Sequence, residues 1–160
     1  MDYKYETHMH TSESSLCGKL KAAEQVRIYK ELGYAGIIIT DHLKSRDFML
    51  GRFMRLKKPL MSWKEKVKFL ARGYEKAKEE GDKIGLDVFR GWDFNYRGSD
   101  FLTYGLDIDF LLSNKDIDEM PIEAYSALVR ANGGYIAQAH PYRRLFMGES
   151  EVPIAPHLLD

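Results

Sequence analysis

The chain has 160 residues, 44% hydrophobic, 30% charged and 12% aromatic, with a formal net charge of zero. That composition supplies apolar surface for one core and one domain, and it excludes a global electrostatic attraction to nucleic acid or membrane. No apolar run approaches the roughly 18 residues that span a bilayer, the N-terminus lacks the order of a signal peptide, and the lone Cys17 cannot close an intramolecular disulfide, so a cytoplasmic protein is expected.

In chain order, Tyr3 to Thr11 reads as a short strand ending His8-Met9-His10-Thr11. Period-two alternation places His8 and His10 on one face. Helical spacing of Ala23, Val26 and Tyr29 or Lys30 then predicts a helix closing at Gly33, a candidate left-handed cap. A second strand, Gly36 to Thr40, ends in Asp41-His42. From Lys44 to Arg72, basic residues outnumber the acidic Asp47 and Glu65 to give a local balance of +8. The first part of that stretch lacks periodicity, contains Gly51 and Pro59 and is rich in Met and Phe. It reads as an insert at about 43–62, either a solvated excursion packed by its own aromatics or a basic lid that attracts an anionic substrate.

Trp63, Val67, Leu70, Tyr74 and Ala77 form the apolar stripe of a long helix that Ser62 can cap. A third strand, Asp87 to Trp92, ends in Asp93. Phe101 to Leu106 and Asp109 to Leu112 read as extended or loop-like. A helix is predicted from Pro121 through Ile122, Tyr125, Leu128 and Val129 to Asn132-Gly133, followed by a strand, Gly134 to Ala139, that ends in His140-Pro141. The alternation favours an α/β fold with a mostly parallel sheet and right-handed crossovers. Catalytic and ligand-binding groups of such folds gather at the carboxyl ends of the strands, where His8, His10, His42, Asp93 and His140 all stand. No repeat or linker divides residues 1–160, so a single domain is expected.

His8-x-His10-Thr11, Ile39-Thr40-Asp41-His42, Gly91-Trp92-Asp93 and Ala139-His140-Pro141-x-Arg143 together resemble, in order and spacing, the successive motifs of the PHP (polymerase and histidinol phosphatase) family of metal-dependent phosphoesterases. The resemblance implies a distorted (β/α)7 barrel, here reaching about five strands, with two or three divalent metal ions at the strand ends. It implies that His8 and His10 hold one ion, that Asp93 bridges to a second held by His140, and that His42 belongs to a third. Imidazole and carboxylate together suit Zn, Mn or Fe. Ions paired about 3.5 to 4 Å apart clamp both sides of a phosphoryl displacement and acidify the attacking water. A small phosphorylated molecule is the implied substrate, with Asp93, His140 and Arg143 as catalytic residues. Arg143 is placed to grip the phosphate through its planar guanidinium.

Several positions depart from the family pattern. Glutamate is common where Asp93 stands, and histidine where Asp100 stands, leaving Asp100 as an oxygen ligand or a loop aspartate. A further histidine commonly follows the first motif; here the region offers Glu13 and Cys17, and Cys17 is either a thiolate ligand or a small apolar residue. Asp41 either orients neighbours or acts directly. Asp93 either bridges metals or caps a turn. Arg144 and His157 read as surface residues. The chain stops at Leu158-Leu159-Asp160, before the Asp-x-His motif that closes the family's pattern. A fragment of a longer product, or a shortened protein with an incomplete site, is therefore expected, with self-association through an open sheet edge. The enzyme reading stands beside a non-catalytic metal- or phosphate-binding domain. A nucleic-acid enzyme is disfavoured, because stacking aromatics do not alternate with basic residues.

Overall fold

The computed structural model describes residues 3–43, 61–96 and 98–142. In chain order these form β1 (Tyr5–Met9), α1 (Ala22–Glu31), β2 (Gly36–Ile39), α2 (Trp63–Ile84), β3 (Asp87–Tyr96), β4 (Ser99–Tyr104), α3 (Ile108–Ser113), a 3-10 turn (Ile117–Glu119), α4 (Ile122–Ala131) and β5 (Tyr135–Gln138). Residues 44–60 of the expected basic insert lie outside the described residues. None of the described helices is long and apolar enough to cross a membrane.

The helices end where local chemistry ends them. Ser62 and Glu65 form a reciprocal capping box at the start of α2, with the Ser62 N–H donating to Glu65 Oε2 at 2.8 Å. The same helix stops on Gly85, whose left-handed φ of 71° an ordinary residue resists. Along α2 the residues Val67, Leu70, Ala71 and Ala77 are buried, as the apolar stripe predicts.

The strands form one curled five-stranded sheet, a half-barrel, in the order β1-β2-β3-β4-β5. The expectation of a mostly parallel sheet is corrected. β1–β2 and β2–β3 are parallel, but β3–β4 and β4–β5 are antiparallel. The cause is a tight turn through Gly98, φ 93°, between the paired Tyr96 and Ser99, since a hairpin can only reverse the chain. Two further sequence expectations change. β3 does not end at Asp93 but runs on to Tyr96, pairing with β2 through Asp87 to Arg90 and with β4 through Gly91 to Tyr96. Asp109 to Leu112 is helical, because the Asp107 carboxylate accepts the Asp109 and Phe110 N–H groups at 3.0 and 3.3 Å and so starts a short helix that buries Phe110 and Leu111. A four-residue apolar run carries too little periodicity to reveal this.

The core has two parts. Val26, Ile37, Ile39, Ala77 and Val88 fill the space between the first three strands and helices α1 and α2. Trp92, Phe94, Phe101, Tyr125, Val129 and Ile136 fill the space beneath the second half of the sheet. Burying each large apolar side chain contributes roughly 1.5–3 kcal/mol. Within the second part, the Tyr125 hydroxyl accepts from Trp92 Nε1 at 2.7 Å and lies 2.5 Å from Thr103 Oγ1, and its ring stacks on Phe94 at 3.9 Å. Trp92 and Phe94 flank Asp93 in sequence, so this network fixes the strand segment that carries it. Tyr125→Phe should leave Trp92 Nε1 without a partner and destabilise the protein by about 1–3 kcal/mol, read as a lower urea midpoint with unchanged slope.

Candidate metal centre

The site begins with an irregularity in β1. Glu6 pairs with Ile37 and Met9 with Ile39, so β1 accommodates one extra residue as a bulge. Glu6 faces the helices, where it accepts from the Tyr29 hydroxyl at 3.3 Å, and Met9 faces the same way, packed beside Val26 and Ile37. Side chains next to Met9 must then point to the other face. His8 and His10 do so, and the bulge separates them from Glu6, with which strict alternation would have grouped them.

Asp93 reaches the same face from β3, between the core residues Trp92 and Phe94. Its backbone is tied to the end of β2, its N–H donating to the Asp41 carbonyl at 3.1 Å and its carbonyl accepting from Leu43 N–H at 2.9 Å. The side chain is 0% exposed. Around Asp93 Oδ2 stand His42 Nδ1 at 3.3 Å, His8 Nε2 at 3.5 Å and His10 Nε2 at 3.8 Å. None of these approaches has hydrogen-bond geometry, and both Asp93 oxygens lack a hydrogen-bond partner among the described residues. Burial accordingly raises the Asp93 pKa above the ordinary carboxylate value.

The histidines are equally crowded. His8 Nε2 and His10 Nε2 are 2.9 Å apart, and the His10 and His42 rings stack at 4.3 Å. Burial, with His42 and His8 alongside, lowers the His10 pKa to about 3, so at neutral pH His10 is a neutral imidazole with a lone pair to offer. Its Nδ1 is also buried without a hydrogen-bond partner among the described residues. On β4, Asp100 lies beside the centre rather than in a loop. It accepts from Asn95 Nδ2 at 2.7 Å through Oδ1, and Oδ2 sits 3.5 Å from His140 Nε2. His140 has a φ of 31°, and among the described residues it is the non-glycine with positive φ, a strained backbone of the kind that collects at functional sites.

The second buried aspartate contrasts with the first. Asp41 accepts from the Thr11 N–H at 2.7 Å, Thr11 Oγ1 at 2.7 Å and Ser15 Oγ at 2.6 Å. Ser15 Oγ in turn accepts from the His42 N–H at 3.1 Å. With both oxygens occupied by protein donors, Asp41 fixes the strand ends next to His10 and His42. Helix α2 seals this knot at Gly73, where a Cβ would lie 2.2 Å from both Asp41 Oδ2 and Thr11 Oγ1. Ser15, Gly73 and Asn95 escaped the sequence reading. The Ser/Thr-rich stretch after His10 and the isolated glycine inside a helical pattern were the available signals.

His8, His10, His42, Asp93, Asp100 and His140 thus stand together. Three sets of donor atoms among the described residues lie within 4.8 Å of one another: His8, His10 and Asp93; His42, Asp93 and Asp100; and His10, Cys17 and His42. Glu13 belongs to none of them and instead accepts the Ala22 N–H at 3.1 Å at the start of α1. Arg143 lies outside the described residues. A buried carboxylate without hydrogen-bond donors among the described residues, faced by imidazole nitrogens, fits a divalent cation in both donor type and charge.

Comparison with solved structures is consistent with this geometry. A two-domain protein from Bacteroides vulgatus ATCC 8482, containing a predicted PHP-like metal-dependent phosphoesterase, superposes with a TM-score of 0.56 at 15% identity over 84% of this chain. A protein from Bifidobacterium adolescentis ATCC 15703, described as a putative metal-dependent phosphoesterase, gives 0.55 at 13% identity over 96% of this chain. The fold is PHP-like. The match covers 34% of the Bacteroides chain and 71% of the Bifidobacterium chain, so this sequence spans about a third of the former's length. No protein-family model matches the sequence, and neither does any curated protein. The PHP-like fold accounts for the strand ends converging on one rim.

Asp93→Asn tests the charge balance. It keeps the shape of the side chain while removing the uncompensated charge, so the cation-free variant should melt at or above the wild-type temperature. Added Zn or Mn at a hundred times its dissociation constant should stabilise wild type by about 2.7 kcal/mol and leave the variant nearly unchanged, as read by calorimetry.

Proposed function

We propose that this chain carries the metal centre of a metal-dependent phosphoesterase acting on a small phosphomonoester. The observation that carries the reading is Asp93, a fully buried carboxylate without hydrogen-bond donors among the described residues, set among His8, His10 and His42. The phosphoesterase assignment of the two similar structures supports the same chemistry. His8, His10, His42, Asp93, Asp100 and His140 would hold the cations. When bound, divalent cations polarise a phosphoryl oxygen and acidify water near neutral pH.

The chain's own residues do the rest. Asp93 supplies the negative charge that retains cations at the centre. Asp41, through Thr11 and Ser15, keeps His10 and His42 in register, a constraint a phosphoryl transfer needs because small misplacements are costly. Arg143, two positions after Pro141 in sequence, supplies a guanidinium to bind and orient the phosphate, and the basic stretch after His42 draws the dianion toward the rim.

Hydrolysis of an aryl phosphate by the purified protein should be abolished by chelator and restored by Mn or Zn. Arg143→Ala should reduce kcat/KM by about 1.5–3 kcal/mol of transition-state binding. Turnover that survives both chelator and Asp93→Asn would contradict the assignment. Metal-loaded protein inert toward phosphomonoesters, phosphodiesters and nucleotides would instead establish a binding module.

A further inference from the structure

We propose that Cys17 is a metal ligand, its thiolate joining His10 and His42 to make one position of the centre sulfur-containing. The inference rests on the metal-centre reading above and extends it to the choice of metal.

The donor atoms of His10, Cys17 and His42 all lie within 4.8 Å of one another. Two further observations point into this group. Among the described residues His10 Nδ1 is buried without a hydrogen-bond partner, and Asp93, 0% exposed and equally unpartnered there, stands 3.3 Å from His42 Nδ1 and 3.8 Å from His10 Nε2. Cys17 itself is exposed and belongs to neither core cluster, whereas a cysteine kept for packing is ordinarily among the most buried residues.

The loop after β1 is built to hold the sulfur there. The Ser14 and Ser15 N–H groups donate to the Thr11 carbonyl at 3.3 and 2.9 Å, and the Gly18 N–H donates to the Ser15 carbonyl at 3.2 Å, so the chain winds tightly back on the end of β1. Gly18 passes so close that a Cβ there would lie 2.3 Å from the Thr11 carbonyl carbon. Ser15 ties the middle of the loop to Asp41 and to the His42 N–H. Cys17 sits between these anchors, Ser15 and Gly18, which fasten it beside His10 and His42.

Coordination breaks the S–H bond and forms a sulfur–metal bond. The proton passes to solvent, and no electron is transferred. A soft thiolate beside imidazole favours Zn and Co over Mn and Mg at this position.

Co(II) reports the ligand directly, and the chain's single cysteine makes the signal unambiguous. Metal-depleted protein and its Cys17→Ser and Cys17→Ala variants would be titrated with Co(II), with bound cobalt measured by equilibrium dialysis and absorption recorded in parallel. Wild type should develop a near-ultraviolet thiolate-to-cobalt charge-transfer band. Both variants should lose that band while retaining visible cobalt absorption from the nitrogen and oxygen ligands. Zn should likewise protect wild-type Cys17 from alkylation by iodoacetamide. Bound cobalt without the charge-transfer band in wild type, or a band that persists in the variants, would overturn the assignment of Cys17 while leaving the metal centre standing. Failure of wild type to retain cobalt at all would overturn both.

Discussion

The arrangement of this protein turns on one carboxylate taken out of water with no hydrogen-bond donor among the described residues to receive it. Removing an ion from solvent costs several kcal/mol even after the interior relaxes, and Asp93 is 0% exposed with both oxygens lacking hydrogen bonds among the described residues. Three imidazole nitrogens at 3.3–3.8 Å surround it without hydrogen-bond geometry. As a set of protein-only contacts this is unfavourable. With cationic charge between carboxylate and imidazoles the same groups become complementary, each offering a lone pair to a common centre.

Asp41 is as deeply placed as Asp93, at 1% exposure against 0%, yet its oxygens receive donors from Thr11 and Ser15. One buried aspartate has its oxygens satisfied by protein donors and the other has none among the described residues, and the difference lies in donors rather than depth. The elements around them serve this division. The β1 bulge separates His8 and His10 from Glu6, the continuation of β3 past β2 carries Asp93 across the rim, and the missing side chain of Gly73 lets α2 close over the Asp41 knot. Asn95 holds one oxygen of Asp100, whose other oxygen lies toward His140, whereas Thr11 donates to both oxygens of Asp41.

Much of this was legible in the sequence because strand ends and helix stripes are local signals. His8 and His10 share a face by period-two alternation, the α2 stripe follows from 3.6-residue spacing, and Ser62 with Glu65 marks a helix start by chemistry alone. What stayed hidden depends on pairing between distant segments. The reversal of β4 comes from a turn whose consequence appears only when β3 has a partner on each side. The role of Asp41 could not be separated from that of Asp93, since adjacency to a motif histidine says nothing of which donors arrive from Thr11 and Ser15. Asp100 read equally as a ligand or a loop residue until β4 placed it opposite Asn95 and beside His140. Glu13 and Cys17 were indistinguishable as ligands until the fold sent one to the start of α1 and the other toward His10 and His42.

The central claim, that Asp93 is buried to meet a cation, is tested most directly by anomalous diffraction from crystals of the protein grown with Zn or Mn and measured on both sides of the metal absorption edge. The account predicts an anomalous peak at coordination distance, about 2.0–2.2 Å for Zn to a carboxylate oxygen, from an Asp93 oxygen and from nitrogens of the surrounding histidines. An Asp93 carboxylate that stays free of anomalous density, with its oxygens hydrogen-bonded to protein or water instead, would contradict it.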